Sequence, residues 1–468
     1  MPKLGRAARG CAPMSIAFAL AVGFIAGCDA ASEASPESAH RGAGDPSEPQ
    51  ASNFGNGAIP AAPGSPGSAS DSSGSGAGGS GGAAPIPGAG MSDGDGASGV
   101  DVGEGGVDAD AGIPDPITVE PGQLTAGEWS DLENWSFWRG LHSGEPCNDL
   151  ADCEDSGIAA VMSTHWEYAT AGRIPVRVRS GSDPVIDAVV ELRADDEPLW
   201  TARTDSEGRA ELFPAVFAES TGPYVLTVQA GGESVELADL DPSDGEPIEV
   251  EFPIAHAPPP SLDLMFMVDT TGSMGDELSY IQAELGHVIE QVRDEIGSQL
   301  QVRLSVNFYR DRGDQYVVRE FQFTSDMEQA LEQLGAQSAG GGGDTPEAVE
   351  EALANAVNDH AWSEAATARL LFLVLDAPPH HDAARVQSLH DSTRAAAEQG
   401  VQIIPLAASG VDEQTEFLLR MLAISTNGTY TFLTDDSGIG NSHLEPTIGQ
   451  YDVELLDDLL VRVIRERL

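Results

Sequence analysis

Hydrophobic and polar positions follow two rhythms along the chain, and the change falls near residue 260. Beyond Ser261, Leu264–Val268 is an apolar run of strand length. Leu278, Ile281, Leu285, Val288, Ile289 and Val292 then recur every three or four residues, the stripe of an amphipathic helix. Val302–Tyr309 and Val317–Phe323 predict strands paired across a turn at Arg310–Gln315, and Val349, Ala352, Leu353, Ala356 and Val357 mark another helix. Leu370–Leu375 predicts a fully buried strand, followed by helix Ala383–Gln399, strand Val401–Leu406, helix Glu413–Ile424 and strand Thr429–Leu433. A last helix turns Val453, Leu456, Leu459, Leu460, Val463 and Ile464 inward. Such alternation predicts an α/β Rossmann-like domain over 261–468, a mostly parallel sheet with helices on both faces. Ligands of such sheets bind beyond the carboxyl ends of the strands.

Between 173 and 254 the period is two. Val176 and Val178 alternate with Arg177 and Arg179; Val189–Leu192, Tyr224–Val228 and Ile248–Phe252 follow, with turns about every ten residues. This predicts a small all-β sandwich. Thr204-Asp205-Ser206-Glu207-Gly208-Arg209-Ala210 resembles the Thr-Asp-x-x-Gly-x-Ala signature of carboxypeptidase regulatory-like and other Ig-like modules. Such modules are spacers or supports, and Pro258-Pro259-Pro260 makes a stiff joint after this one. Residues 118–172 hold four of the six tryptophans, Trp129, Trp135, Trp138 and Trp166, and are expected to bridge by packing on a neighbouring domain.

The amino-terminal quarter has no such rhythm. Lys3, Arg6 and Arg9 precede an apolar stretch from Met14 to Ala26, shorter than the roughly 20 residues of a spanning helix, which predicts a signal peptide over 1–27. Its end, Ile25-Ala26-Gly27-Cys28, looks like a bacterial lipobox, implying cleavage before Cys28 and lipidation of its sulfur. Residues 28–117 are Gly, Ser, Ala, Pro and Asp with few large apolar side chains, a composition that predicts a disordered linker with a reach of roughly 50 Å. Cys147 and Cys153 are left as a close pair and, in an exported chain, suggest a local disulfide.

The formal net charge is −53, and loss of three basic side chains with residues 1–27 takes it to about −56. That argues against nucleic acid, whose binding is led by phosphate neutralisation, and against direct contact with anionic lipid heads. The membrane is therefore expected to be met through the lipid anchor only, at the inner or outer membrane of a cell envelope, facing periplasm or exterior.

The chemistry concentrates where strands end. Asp269, Thr271 and Ser273 follow the first apolar strand at alternate positions; Gly340–Gly343, Asp344, Thr345 and Pro346 open a helix; Asp376 follows Leu370–Leu375. These are hard oxygen donors, suited to Mg²⁺, Mn²⁺ or Ca²⁺. Asp-x-Thr-x-Ser resembles the metal-ion-dependent adhesion site (MIDAS) of von Willebrand factor type A (VWA) domains, with Thr271 in place of the first serine. The wording Gly-Gly-Gly-Asp-Thr-Pro-Glu-Ala-Val and Asp-Ala-Pro-Pro-His is similar to the bacterial and alpha-kinase-associated branch of that family. The resemblance implies Asp269, Thr271 and Ser273 as first-loop ligands and Asp376 as a last-loop ligand, direct or through water. The family's middle ligand is usually Thr; here either Asp344 or Thr345 takes that place.

Other signals are weaker. Arg312-Gly313-Asp314 is an adhesion tripeptide expected by coincidence, and His380-His381-Asp382 lacks the helical spacing of a zinc pair. Asp311, closing a neighbouring strand, is a candidate flank of the site. The resemblance implies a non-enzymatic adhesion module whose metal completes its shell with a carboxylate from a protein ligand. A structural envelope protein with a stabilising metal is the alternative, and a metal-dependent hydrolase a weaker one, because no general base is separable from the ligand set.

Overall fold

The computed structural model describes residues 119–142, 155–170, 172–217, 223–240, 246–343 and 345–468. The expected signal peptide, Cys28, the linker, Cys147, Cys153 and Asp344 lie outside the described residues.

Among the described residues the first elements are strand β1 (Thr125–Trp129) and helices α1 (Trp135–Leu141) and α2 (Asp155–His165). Eight short strands follow. They are β2 (Ile174–Ser180), β3 (Asp183–Pro184), β4 (Val189–Ala194), β5 (Glu197–Arg203), β6 (Arg209–Leu212), β7 (Tyr224–Ala230), β8 (Glu233–Leu240) and β9 (Ile248–Glu251). They form two four-stranded sheets, one antiparallel (β5-β4-β7-β8) and one in which β9 runs parallel to β2. The Thr204–Ala210 turn works through its side chains: Asp205 Oδ1 accepts from the backbone N–H groups of Glu207 (2.9 Å) and Arg209 (2.8 Å). Gly208 sits at φ +76°, where a Cβ would come within 2.4 Å of the Val178 carbonyl oxygen.

The second half alternates. β10 (Ser261–Asp269) leads to α3 (Leu278–Gln291), β11 (Gln301–Tyr309), β12 (Val318–Arg319), α4 (Met327–Gly335) and α5 (Val349–Asn358). Then come β13 (Ala368–Leu375), α6 (Ala383–Gln399), β14 (Val401–Ala407), α7 (Glu413–Ser425), β15 (Tyr430–Leu433), β16 (Glu454–Leu455) and α8 (Leu456–Glu466). The sheet order is β12-β11-β10-β13-β14-β15-β1-β16. Its five central strands are parallel, and all eight residues of β13 are buried, as expected of a strand covered on both faces. Leu264, Phe266, Val268, Leu370, Phe372 and Val374 face a core shared with α3, α4 and α8. Met265, Met267, Leu371 and Leu373 face the core shared with α5, α6, α7 and the small β domain.

Besides Val453, which precedes α8 and is exposed instead of facing inward, two expectations need correction. The tryptophan-rich segment is more than a bridge: β1 lies antiparallel between β15 and β16, so the large sheet does not begin at 261. Thr-Ala-Gly-Glu-Trp carries no apolar run, and Gly127 is required because a Cβ there would meet the Phe432 ring at 2.6 Å. Glu284 of α3 fixes the approach by accepting from the N–H groups of Gly122, Gln123 and Leu124 at 2.7, 2.8 and 3.0 Å. All four tryptophans pack inward, and the Trp138 ring lies 4.8 Å from the guanidinium of buried Arg420. Second, the strand expected over Val317–Phe323 shrinks to Val318–Arg319 plus a bridge between Leu304 and Thr324. Side chains of β11 take over the backbone partners there: Ser305 Oγ donates to Phe321 O (2.6 Å) and Asn307 Oδ1 accepts from Phe321 N (2.7 Å).

Candidate functional site

The order of the parallel strands reverses between β10 and β13, with β11 on one side and β14 on the other. Asp269 closes β10 and Asp376 immediately follows β13. Asp269 Oδ1 accepts from Thr271 N and from Thr271 Oγ1, both at 2.7 Å, and Thr271 Oγ1 lies 3.0 Å from Ser273 Oγ. Alternation in the extended loop thus chains the three side chains together, with Asp269 and Thr271 buried and Ser273 exposed.

The glycine loop closes the other wall. Gly340 N donates to Thr270 O (3.0 Å), Gly272 N to Gly341 O (3.2 Å) and Gly342 N to Asp314 Oδ2 (2.8 Å). Gly342, at φ +63°, sits so close that a Cβ would lie 3.0 Å from Glu347 Oε1 and 3.3 Å from Thr271 Cβ. This brings forward a residue the sequence motif did not single out. Thr345 is exposed, whereas Glu347, two residues on, is buried, and its N–H donates to Pro378 O in the loop after Asp376 (3.0 Å). The signal was present in the Thr-Pro-Glu wording, but an acidic residue beside a helix start reads first as a dipole partner.

Asp269 Oδ2, Asp376 Oδ1 and Glu347 Oε2 are all buried without a hydrogen-bond partner, and Asp311 Oδ1 meets only the His380 imidazole, 3.4 Å away. Their electrostatics match. Burial, then the charge of Asp376, lifts the Asp269 carboxyl to about 7 against the pull of Thr271 and of the buried Tyr309 hydroxyl. Burial followed by Asp269, Asp311 and Asp376 lifts Glu347 to about 8. Burial lifts Asp376 to about 6 against the pull of the Ser273 hydroxyl, with Glu277 adding to the rise. Buried carboxylates without partners are costly, so such a cluster must take up protons or a cation.

The residues fit a divalent cation by the chemistry of their donors. Among the described residues no three His, Cys, Asp or Glu side chains converge into a cage by themselves. A cation held here would need the Thr271 and Ser273 hydroxyls as well, a donor set that suits a hard ion and a thiolate-free site. Behind the cluster, buried Glu350 touches Arg312 and His380 and so ties the loops of Asp311 and Asp376 to the start of α5. His381 instead stacks on His165 at 3.9 Å, and Asp382 caps α6 through the N–H groups of Ala384 and Arg385. The His380-His381-Asp382 run is thus divided among three tasks. Asp314 of the adhesion-like tripeptide turns inward to cap Gly342, and Arg312 is held by Glu350 and Glu351.

The von Willebrand factor type A domain family matches residues 263–443. The chain carries a VWA domain there. The match begins inside β10 and ends before α8, so β1, which belongs to the same sheet, lies outside it. Among curated proteins, the putative ariadne-like RING finger protein R811 of Acanthamoeba polyphaga mimivirus is 32% identical over 120 residues. That stretch is 26% of this chain and 11% of the mimivirus protein, so the chain spans about a tenth of that relative's length. Among solved structures, the conserved hypothetical protein BatB from Bacteroides thetaiotaomicron aligns with 44% of this chain and 98% of its own. The identity is 15% and the TM-score 0.31.

Proposed function

We propose that the protein is a non-enzymatic binding module whose VWA domain holds a divalent cation, Mg²⁺ or Mn²⁺ before Ca²⁺, and engages a carboxylate of a protein partner. One observation carries this: Asp269 Oδ2, Asp376 Oδ1 and Glu347 Oε2 are buried and unpartnered beside the Thr271 and Ser273 hydroxyls. In this proposal Asp269, Thr271, Ser273 and Asp376 are ligands, and Glu347 joins Asp344 and Thr345 as a candidate for the middle one. The ion would supply a positive charge at the surface, and Ser273, the exposed member, marks where a partner approaches. His380, the imidazole nearest Asp311, is engaged by Asp311 and Glu350, which favours a scaffolding role over that of a general base.

The small β domain is proposed as an Ig-like spacer, and Cys28 as the lipid anchor that holds the chain at a cell envelope. Calorimetric titration of the full chain with Mg²⁺ and Mn²⁺ tests the central claim. Wild type should bind one ion and Asp269→Ala none, with the circular dichroism of the sheet retained. Equal binding by both proteins, or none by wild type, would overturn it. A chelator-sensitive pull-down separates a partner-binding metal from a purely stabilising one.

A further inference from the structure

We infer that the partner recognised at this site presents its carboxylate among lysine or arginine side chains. The inference deepens the proposed function and rests on it. A divalent ion offsets only two of the three carboxylates of Asp269, Glu347 and Asp376. Around them stand more acids: Asp314 Oδ2 accepts from Gly342 N at 2.8 Å in the glycine loop, Asp311 lies 3.4 Å from His380, and Asp276 and Glu277 follow Ser273 in the same loop. Asp311 and Asp314 act on Glu347, and Glu277 and Asp276 on Asp376. Asp276 is exposed, and Asp311 and Asp314 are partly so.

The basic groups nearby are already committed. Arg312 is bound by Glu350 and Glu351, and His380 lies 3.4 Å from both Asp311 and Glu350. His443 is held between Glu277 at 2.9 Å and Asp435 at 2.8 Å. Arg310 is buried under the glycine loop, donating to Ser338 O at 2.7 Å and lying 4.8 Å from the Tyr316 ring. No basic side chain among these is free to greet an acidic ligand. The rim therefore stays negative after the ion is bound, and a carboxylate flanked by further acids meets like charge on arrival. Like-charge juxtaposition across an interface suppresses wrong partners, and opposite charge speeds encounter with right ones. The unpartnered Asp269 Oδ2 supplies the call for a cation, and the flanking acids supply the selection among ligands that the cation attracts.

The test uses the full chain and four fluorescent pentapeptides, read by anisotropy. Three carry a central Asp flanked by two Lys, two Gly or two Glu on each side; the fourth is the Lys-flanked peptide with a central Asn. With Mg²⁺, the Lys-flanked Asp peptide should bind at least about tenfold more tightly than the Glu-flanked one, with the Gly-flanked one between. The gap should narrow at about 0.5 M salt, where screening shortens the range of the rim charges. Asp276→Asn and Asp311→Asn should narrow it too. Equal or stronger binding of the Glu-flanked peptide, or no binding by any, overturns the inference while metal calorimetry leaves the cation reading standing. In the presence of EDTA the Lys-flanked peptide should still outbind the Glu-flanked one, with Asp and Asn alike. If Asp and Asn are alike with Mg²⁺ as well, the metal reading fails and this inference falls with it.

Discussion

Glu350 Oε1 lies 3.0 Å from Arg312 Nη2, and through that contact a fully buried carboxylate of α5 holds the turn that follows Asp311. The other oxygen accepts from His380 N at 3.2 Å, four residues after Asp376. Residues that orient the carriers of a metal site commonly cost about 10–100-fold in affinity when altered. Glu350→Gln is therefore expected to weaken Mg²⁺ or Mn²⁺ binding by about that factor in calorimetry. Glu351→Gln removes another contact to the same arginine but none to His380, and should leave affinity unchanged.

The acidic cluster also sets a pH dependence. Asp269, Asp376 and Glu347 have folded-state values near 7, 6 and 8, above those of an unfolded chain. Raised carboxyl values mean that the folded state holds more protons than the unfolded one between roughly pH 4 and 8. Their contribution to stability is full below the unfolded value and is lost as pH rises through the folded ones. Melting temperature in EDTA should accordingly fall from pH 5 towards pH 8. Saturating Mg²⁺ should restore most of the loss at pH 8 and little at pH 5. A chelated protein whose melting is flat over that range, or rises, would count against the cluster as described.

The docking of the tryptophan-rich segment depends on a buried charge. Arg420, wholly buried, donates to Asp131 at 2.8 and 2.7 Å and to Glu416 at 3.0 Å. Removing one partner of a buried pair typically costs about 3–5 kcal/mol, because the other charge stays behind. With Glu416 still present, Asp131→Ala should cost about 3 kcal/mol in urea unfolding, and tryptophan fluorescence should report the loosened ring of Trp138.

Cys28 carries the anchoring expectation. Cys28→Ser should yield unprocessed or soluble protein on fractionation, whereas unchanged membrane association would remove the lipoprotein assignment. Two or more acyl chains are needed for lasting attachment, so partial lipidation should give partial release.

The alternating half of the fold was legible because its strands are nearly all apolar and its helices carry striped faces. The boundaries of α6 were read directly, since Asp382 caps one end and Gly400, at φ +72°, closes the other. α4 was missed: only Ala330 and Leu334 of its nine residues are buried, too few to set a period. β1 was missed because its pairing partners lie far along the chain, and β12 is shorter than its apolar run predicts because side chains replace its ladder. At the site, Asp269, Thr271, Ser273 and Asp376 could be placed from strand ends alone. Glu347 could not, because its role depends on how close Gly342 brings its carboxylate to Thr271.

The position of β1 bears on the timing of assembly. Thr125 and Thr434 bond across 309 residues of sequence, and Ala126 pairs with both Leu433 and Glu454. β1 must wait until β15 and β16 have followed before its slot exists. Until then the large sheet stays open on one side. A fragment cut at the proline joint would never close that gap, and its exposed β15 edge would be available to a second copy.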